Sequence, residues 1–138
     1  ILSAIGEASN SDDAGEYSAA RVKHENLDAL LDVTRQWGRL RAVVRSSAGA
    51  VSELMINGDE FQRRGDWLAI ENDHFHLHIE WSRVAAAWLV RRGETLRGVH
   101  FVDAAGETIF NLSLIRKEGV FDKVAEQQYE EAWQKLSM

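Results

Sequence analysis

The sequence contains no cysteine and no proline. Without cysteine the chain can form no disulfide, no thiolate nucleophile and no Cys-ligated zinc or iron–sulfur cluster, so any metal must depend on histidine, carboxylate or backbone ligands. Without proline no strand loses a hydrogen-bond donor from its ladder, which is compatible with uninterrupted sheet pairing.

Excess positive charge and long apolar runs are also absent. The formal net charge is -6 at pH 7, which argues against a general phosphate-binding surface, so nucleic acid is not an expected partner. No run approaches the roughly 20 apolar residues that span a bilayer, and the N-terminal residues lack the pattern of a signal peptide. We therefore expect a soluble, cytoplasmic protein without membrane insertion.

Common catalytic motifs are missing as well. There is no GxSxG elbow, and "GDEFQRRGD" lacks the spacing of a phosphate loop. Adjacent carboxylates such as Glu130 and Glu131 lie in segments where solvated charge is the usual state. The sequence therefore does not favour an enzyme.

The chain divides into a polar leader and one domain. Residues 1–24, which include "SNSDDAGEYS", are polar and aperiodic and predict a flexible leader. The remaining residues, 25–138, are enough for a single domain with a hydrophobic core. Helical spacing of apolar residues predicts one amphipathic helix from Asn26 to about Gly38 and a second within "FDKVAEQQYEEAWQKL".

Strand-like segments fill the space between the two helices. Short gaps rich in Gly, Asn and Asp join them, and such short connections require antiparallel neighbours. The segments are 39–45, 50–56, 67–71, 74–80, 86–92, 97–103 and 107–115. We predict an α+β fold: a large antiparallel sheet of about seven strands flanked by an N-terminal and a C-terminal helix.

Three histidines alternate with apolar residues in "HFHLHIEW", residues 74–81. Side chains on a strand point to opposite faces in turn, so His74, His76 and His78 share one face and the apolar residues share the core face. Imidazoles at i and i+2 can converge on a metal ion. Alternating polar residues on a half-solvated strand need no ligand, so both interpretations stay open.

Tryptophan and arginine supply a second pattern. Trp88, Arg91 and Arg92 occur together in one predicted strand. A flat, apolar, dianionic ligand such as haem needs an aromatic or aliphatic slot, an imidazole for the iron and arginines for the propionates. Core tryptophans and solvated arginines remain the simpler interpretation of the same residues.

The order of segments resembles the haem-utilisation superfamily of HemS- and ChuX-like proteins over roughly residues 27–136. The segments are "GDWLAIENDHFHLHI", "WSRVAAAWLVRR" and "VHFVDAAGETIFNLSLIRK". In that family a histidine-bearing strand is followed by a short helical turn, a "W-V-V-R-K" strand and an "F-D-x-x-G-E-x-I" hairpin. His78, Trp88 and Arg91 match this pattern.

The resemblance implies a single-module, ChuX-like protein that binds haem as an intracellular carrier or storage module. It also implies a homodimer, because a partner copy buries the large sheet surface in this architecture. Some relatives are linked to haem degradation, but this sequence shows no flavin or nicotinamide site. The alternatives are a ligand-free interaction or sensor module of the same fold and a metal-binding protein based on the HxHxH pattern.

The iron ligand is where this sequence departs from the family. ChuX-like members tend to carry a tyrosine segment where this chain has "DWLAI", so Trp67 offers no phenolate. Tandem members take their histidine from ahead of the opening helix, where only His24 stands. We expect His78 to bind the iron, with His76 as its substitute, and Arg91 or Arg92 to meet a propionate beside Trp88.

Overall fold

Strands make up most of the computed structural model, which describes residues 17–46, 49–71 and 76–138. The elements are β1 (Tyr17–Val22), α1 (Leu27–Thr34), β2 (Arg39–Arg45), β3 (Val51–Asn57), β4 (Phe61–Arg64), β5 (Trp67–Glu71), β6 (His76–Glu80), β7 (Ala86–Arg92), β8 (Leu96–Val102), β9 (Thr108–Leu114), β10 (Arg116–Lys117), β11 (Val120–Phe121) and α2 (Lys123–Leu136). No helix in the described ranges is long and apolar enough to cross a membrane.

The strands form a large sheet and two small ones. The large sheet has six strands in the order β1-β7-β8-β9-β2-β3, a second has three in the order β4-β5-β6, and β10 pairs with β11. The pairings within these sheets are antiparallel. The predicted fold class is confirmed, with the predicted strands divided between the large sheet and the β4-β5-β6 sheet.

Strand β1 corrects the predicted leader. Residues 17–22 pair with β7 in a continuous register from Tyr17 opposite Arg92 to Val22 opposite Ala87. The segment "YSAARV" shows little apolar alternation because it lies at the sheet edge, where Val22 is its one buried side chain. Its place comes from backbone pairing, which side-chain periodicity does not reveal. Residues 1–16 of the predicted leader lie outside the described residues.

A hydrophobic core joins both helices to the two larger sheets. Helix α1 buries Leu30 and helix α2 buries Tyr129, each with no exposed surface. The Tyr129 hydroxyl lies 2.9 Å from the Val90 carbonyl oxygen and 2.7 Å from that of Gly98, which holds α2 against β7 and β8. A side chain at Gly98 would place its Cβ 2.9 Å from the Leu112 carbonyl oxygen, so glycine allows the close approach of β8 and β9.

The β4-β5-β6 sheet has one core face and one outer face. On β6, Ile79 is buried and Leu77 packs against the core, whereas His78 is exposed. This alternation confirms the predicted strand pattern for residues 77–79. His74 lies outside the described residues.

Candidate functional site

An open depression of about 360 Å³ lies on the outer face of the β4-β5-β6 sheet, which is called the small sheet from here on. It is lined by Arg64, Trp67, Ala69 and His78. The strand ladder explains why these residues meet: Arg64 is opposite Trp67, and Ala69 is opposite His78. Residues that face each other across antiparallel strands, and residues two apart on one strand, share a face of the sheet.

The depression combines a small floor with an aromatic wall. Ala69 is 1% exposed and Trp67 is 50% exposed, so a methyl group lies at the bottom and a large indole surface remains open beside it. The Trp67 and His78 rings have centroids 6.5 Å apart and planes at 80°. The imidazole therefore stands nearly perpendicular to the indole.

Arg64 lies at the rim of the depression. Its Nη2 donates to Gln62 Oε1 at 2.9 Å, and its Nη1 lies 3.7 Å from Glu71 Oε1. An arginine has five N–H donors in a planar fork, so these two contacts leave donors for an anionic ligand. Sequence reasoning missed Arg64 because β4 was not predicted; the turn residues in "RRGDW" were the available signal.

The structure does not bring the predicted arginines to His78. Arg91 lies on β7 in the six-stranded sheet, where its Nη1 is 2.7 and 2.8 Å from the two Glu130 carboxylate oxygens. Its guanidinium carbon is also 4.1 Å from the centre of the Trp133 ring. Helix α2 therefore holds Arg91 through an ion pair and a cation–π contact.

Trp88 and Arg92 belong to the same sheet as Arg91. Trp88 is half-buried and faces His100 across the β7–β8 ladder. The Arg92 guanidinium carbon lies 5.1 Å from the centre of the Tyr17 ring on β1. Trp88 and Arg92 therefore lie beside residues of β8 and β1 in the six-stranded sheet. Neither of them lines the depression on the small sheet.

His76 begins β6, two residues before His78, and the backbone register places it opposite Glu71 on β5. Over the described parts of the chain, no group of three or more His, Cys, Asp or Glu side chains is arranged to hold a metal ion. A metal site that includes His74 stays a prediction.

His24 borders a second depression, of about 570 Å³. This exposed histidine lies in a short 3₁₀ turn just before α1, and Arg83 and Asp103 line the same space. Arg83 Nη2 lies 3.7 Å from Asp103 Oδ2. No Trp, Tyr or Phe side chain is among the residues that line this second depression, whereas Trp67 lines the first.

His100 is half-buried on β8. Its Nδ1 lies 3.2 Å from Thr108 Oγ1. Burial, and to a smaller extent the nearby Arg45 guanidinium, lower the pKa of His100 from 6.5 to about 4. This imidazole is therefore neutral at pH 7 and is held within the sheet by a threonine.

The strand order and the two helices define a class of α+β proteins built on a broad antiparallel sheet. The family model described as haem utilisation ChuX/HutX matches residues 20–136. The chain belongs to this haem-utilisation family, as its segment order predicted. No curated protein matches the chain.

Solved structures share the fold. The protein AGR_C_4470 from Agrobacterium tumefaciens is 23% identical, with a TM-score of 0.67 over 86% of this chain and 71% of that one. The haem-binding protein ChuX is 16% identical, with a TM-score of 0.66 over 83% of this chain and 74% of its own. Holo-PhuS, a haem-binding protein from Pseudomonas aeruginosa, is 21% identical, with a TM-score of 0.63 over 81% of this chain but 34% of PhuS. This chain therefore corresponds to about a third of PhuS.

Proposed function

We propose that this chain binds haem in the depression lined by Trp67, Ala69 and His78, and acts as a cytoplasmic haem carrier or storage module. The observation that carries the proposal is the juxtaposition of an exposed indole, an imidazole at 80° to it and an arginine on one face of a small sheet. Because the chain belongs to a haem-utilisation family, we interpret this grouping of side chains as a haem site.

The donor set fits haem. An imidazole nitrogen can bind iron through its lone pair, and an indole offers a flat apolar surface to a macrocycle. His78 and Trp67 supply these two groups beside each other in the depression. His78 is therefore the proposed iron ligand, with His76 as the substitute on the same strand.

Arg64 takes the propionate role that the sequence assigned to Arg91 or Arg92. A guanidinium binds a carboxylate through charge-assisted hydrogen bonds, and Gln62 holds Arg64 at the rim of the depression. Bound haem would supply the iron and its redox chemistry. The chain's own residues would orient the macrocycle, neutralise a propionate and leave part of the ligand in water, which suits a protein that passes its ligand on.

Hemin titration of variants tests this assignment. We expect His78→Ala to shift the Soret band and weaken binding several-fold, up to about tenfold. Loss of one charge-assisted hydrogen bond in Arg64→Ala should cost about 1.5–3 kcal/mol, or one to two decades in affinity. Arg91→Ala serves as the matched control and should bind hemin like the wild type, because Glu130 and Trp133 occupy its guanidinium.

Two results would contradict the assignment. If His78→Ala and His76→Ala keep the wild-type Soret band while His24→Ala loses it, the iron ligand lies in the depression before α1. If the wild-type protein gives no Soret shift with hemin, the chain is instead a ligand-free interaction or sensor module.

We further propose a homodimer through the large sheet. Ladder alternation places Trp88, Val43 and Met55 on the face opposite to the buried Leu89 and Leu112. Met55 is 45% exposed, and Trp88 and Val43 are half-buried. A second copy packed on this face would remove apolar surface from water.

A further inference from the structure

We propose that the depression on the small sheet also binds metal-free porphyrins, with an affinity close to its affinity for haem. Its ligand class would then be the dianionic tetrapyrrole macrocycle, with or without iron. The inference rests on the proposed function and extends it, because it assigns most of the binding free energy to contacts that do not involve the metal.

The first metal-independent contact is apolar. Trp67 leaves half of its surface exposed, and Ala69 beneath it is too small to fill the space between the indole and the imidazole. A flat macrocycle would cover this indole and exclude water from the floor. The binding free energy from each of these two contacts scales with the apolar area of the ligand. That area is the same for a porphyrin with and without iron.

The second metal-independent contact is electrostatic. Arg64 is the cation among the four lining residues, and its side chain is 62% exposed at the rim. The carboxylates of a porphyrin lie at the edge of the macrocycle, away from the central metal. An ion pair with Arg64 would therefore form equally with both ligands.

The metal-dependent contribution is small by comparison. The lining residues include one imidazole, that of His78, which can form one coordination bond. No cluster of three metal-binding side chains occurs within the described ranges, so the structure gives no support for capture of a bare metal ion there. Iron would thus add one bond to a ligand already held by Trp67, Ala69 and Arg64.

Parallel titrations of the full chain with hemin and with free-base protoporphyrin IX test the inference. Hemin is followed by Soret absorbance and protoporphyrin by its own fluorescence. We expect the two dissociation constants to agree within about tenfold. Trp67→Ala should weaken the binding of both ligands by a similar factor of about tenfold or more. Because Trp67 is half exposed, we expect this variant to fold, which circular dichroism can check.

The His78→Ala variant separates the two ligands. It should shift the Soret band of hemin and weaken hemin binding, yet leave the protoporphyrin dissociation constant within about twofold of the wild type. His24→Ala is the matched control, because that histidine lines the other depression. It should change neither titration.

The outcomes distinguish this inference from the proposed function. If hemin binds but the protoporphyrin dissociation constant is more than about tenfold higher than that of hemin, the inference is overturned and the haem proposal stands. The inference is also overturned if His78→Ala weakens the binding of hemin and of protoporphyrin equally. The same holds if Trp67→Ala and Arg64→Ala leave protoporphyrin binding unchanged. If neither ligand binds the wild type, both proposals fail.

Discussion

Ala69 leaves the space on the small sheet that a ligand would occupy. It lies opposite His78 in the ladder and beside Trp67 in the depression. In Ala69→Leu the larger side chain would fill the floor, so we expect hemin affinity to fall at least about tenfold. Titration with hemin measures the loss, and urea unfolding measures stability, which should change less because the new side chain extends away from the core.

A matched control for Ala69→Leu is Ala19→Leu on the edge strand β1, where the side chain is exposed. This variant should bind hemin like the wild type. Full hemin affinity in Ala69→Leu would show that the ligand does not enter the depression.

His100 should make stability depend on pH. Because burial and Arg45 lower its pKa to about 4 from 6.5, the unfolded chain binds more protons between these two values. The free energy of unfolding should therefore fall as the pH drops from about 6.5 toward 4, by as much as about 3 kcal/mol from this residue. Above pH 6.5 the contribution is complete.

Comparison of urea unfolding for wild type and His100→Gln at several pH values isolates this effect from other titrating groups. The stability difference between the two proteins should shrink as the pH falls, because only the wild type loses the contribution of a neutral imidazole. A difference that is constant from pH 7 to pH 4 would contradict the assignment. His24→Gln, at an exposed site, provides the control.

Residue alternation was the reliable part of the sequence-based prediction of the site. It predicted correctly that His78 is exposed and that Ile79 is buried. Side chains on a strand alternate between the two faces in any sheet, so this prediction does not depend on the neighbouring strands. The partners of His78 were not accessible in this way. Arg64 and Arg91 are both arginines at strand ends, and only the sheet to which each strand belongs separates them.

The β4–β5 hairpin is attached to helix α1 through Asp28. Asp28 Oδ1 accepts hydrogen bonds from Arg63 Nη1 and from Trp81 Nε1, the latter at 3.1 Å. The Arg63 guanidinium carbon also lies 5.5 Å from the centre of the Trp81 ring. This contact joins the helix to the strand that carries Arg64 and to the turn that follows β6.

Asp28→Ala should lower the free energy of unfolding by about 1–2 kcal/mol. The exposed ion pair with Arg63 contributes little, and most of the loss comes from leaving the indole N–H of the buried Trp81 without its acceptor. Urea unfolding measures the change. Asp32→Ala, an exposed position one turn later on α1, should stay within about 0.5 kcal/mol of the wild type. Equal effects of the two substitutions would refute the role of Asp28.

The helices and longer strands were predictable because their apolar spacing is strong. Strands β1 and β4 were missed for a common reason: "YSAARV" and "FQRR" each contain one buried residue, so neither shows a periodic pattern. The division into separate sheets was also missed. Apolar alternation shows that a segment has a core face, but it does not identify the strand with which the segment pairs.

At the scale of the whole molecule, the apolar side chains on the outer face of the large sheet predict self-association. We expect the wild-type protein to sediment as a dimer at micromolar concentration. Met55→Glu should shift it toward the monomer, because the substitution places a charge within the proposed interface. Val124→Glu, at a residue that is 63% exposed on α2, should remain dimeric.

A wild-type protein that sediments as a clean monomer would contradict the dimer. Dissociation by Val124→Glu with a stable Met55→Glu dimer would move the interface to the helical side of the molecule. Either result leaves the hemin titrations interpretable, because the residues that line the proposed haem site all lie on the small sheet.

The strand order also determines which parts of the chain can assemble early during folding. Strand β1 pairs with β7 and β2 pairs with β9, although many residues separate the partners, so these pairings require the closure of long loops. By contrast, β4, β5 and β6 are consecutive in the chain and each pairs antiparallel with its neighbour in sequence. We therefore expect local chain closure to bring together the four residues that line the depression before the six-stranded sheet is complete.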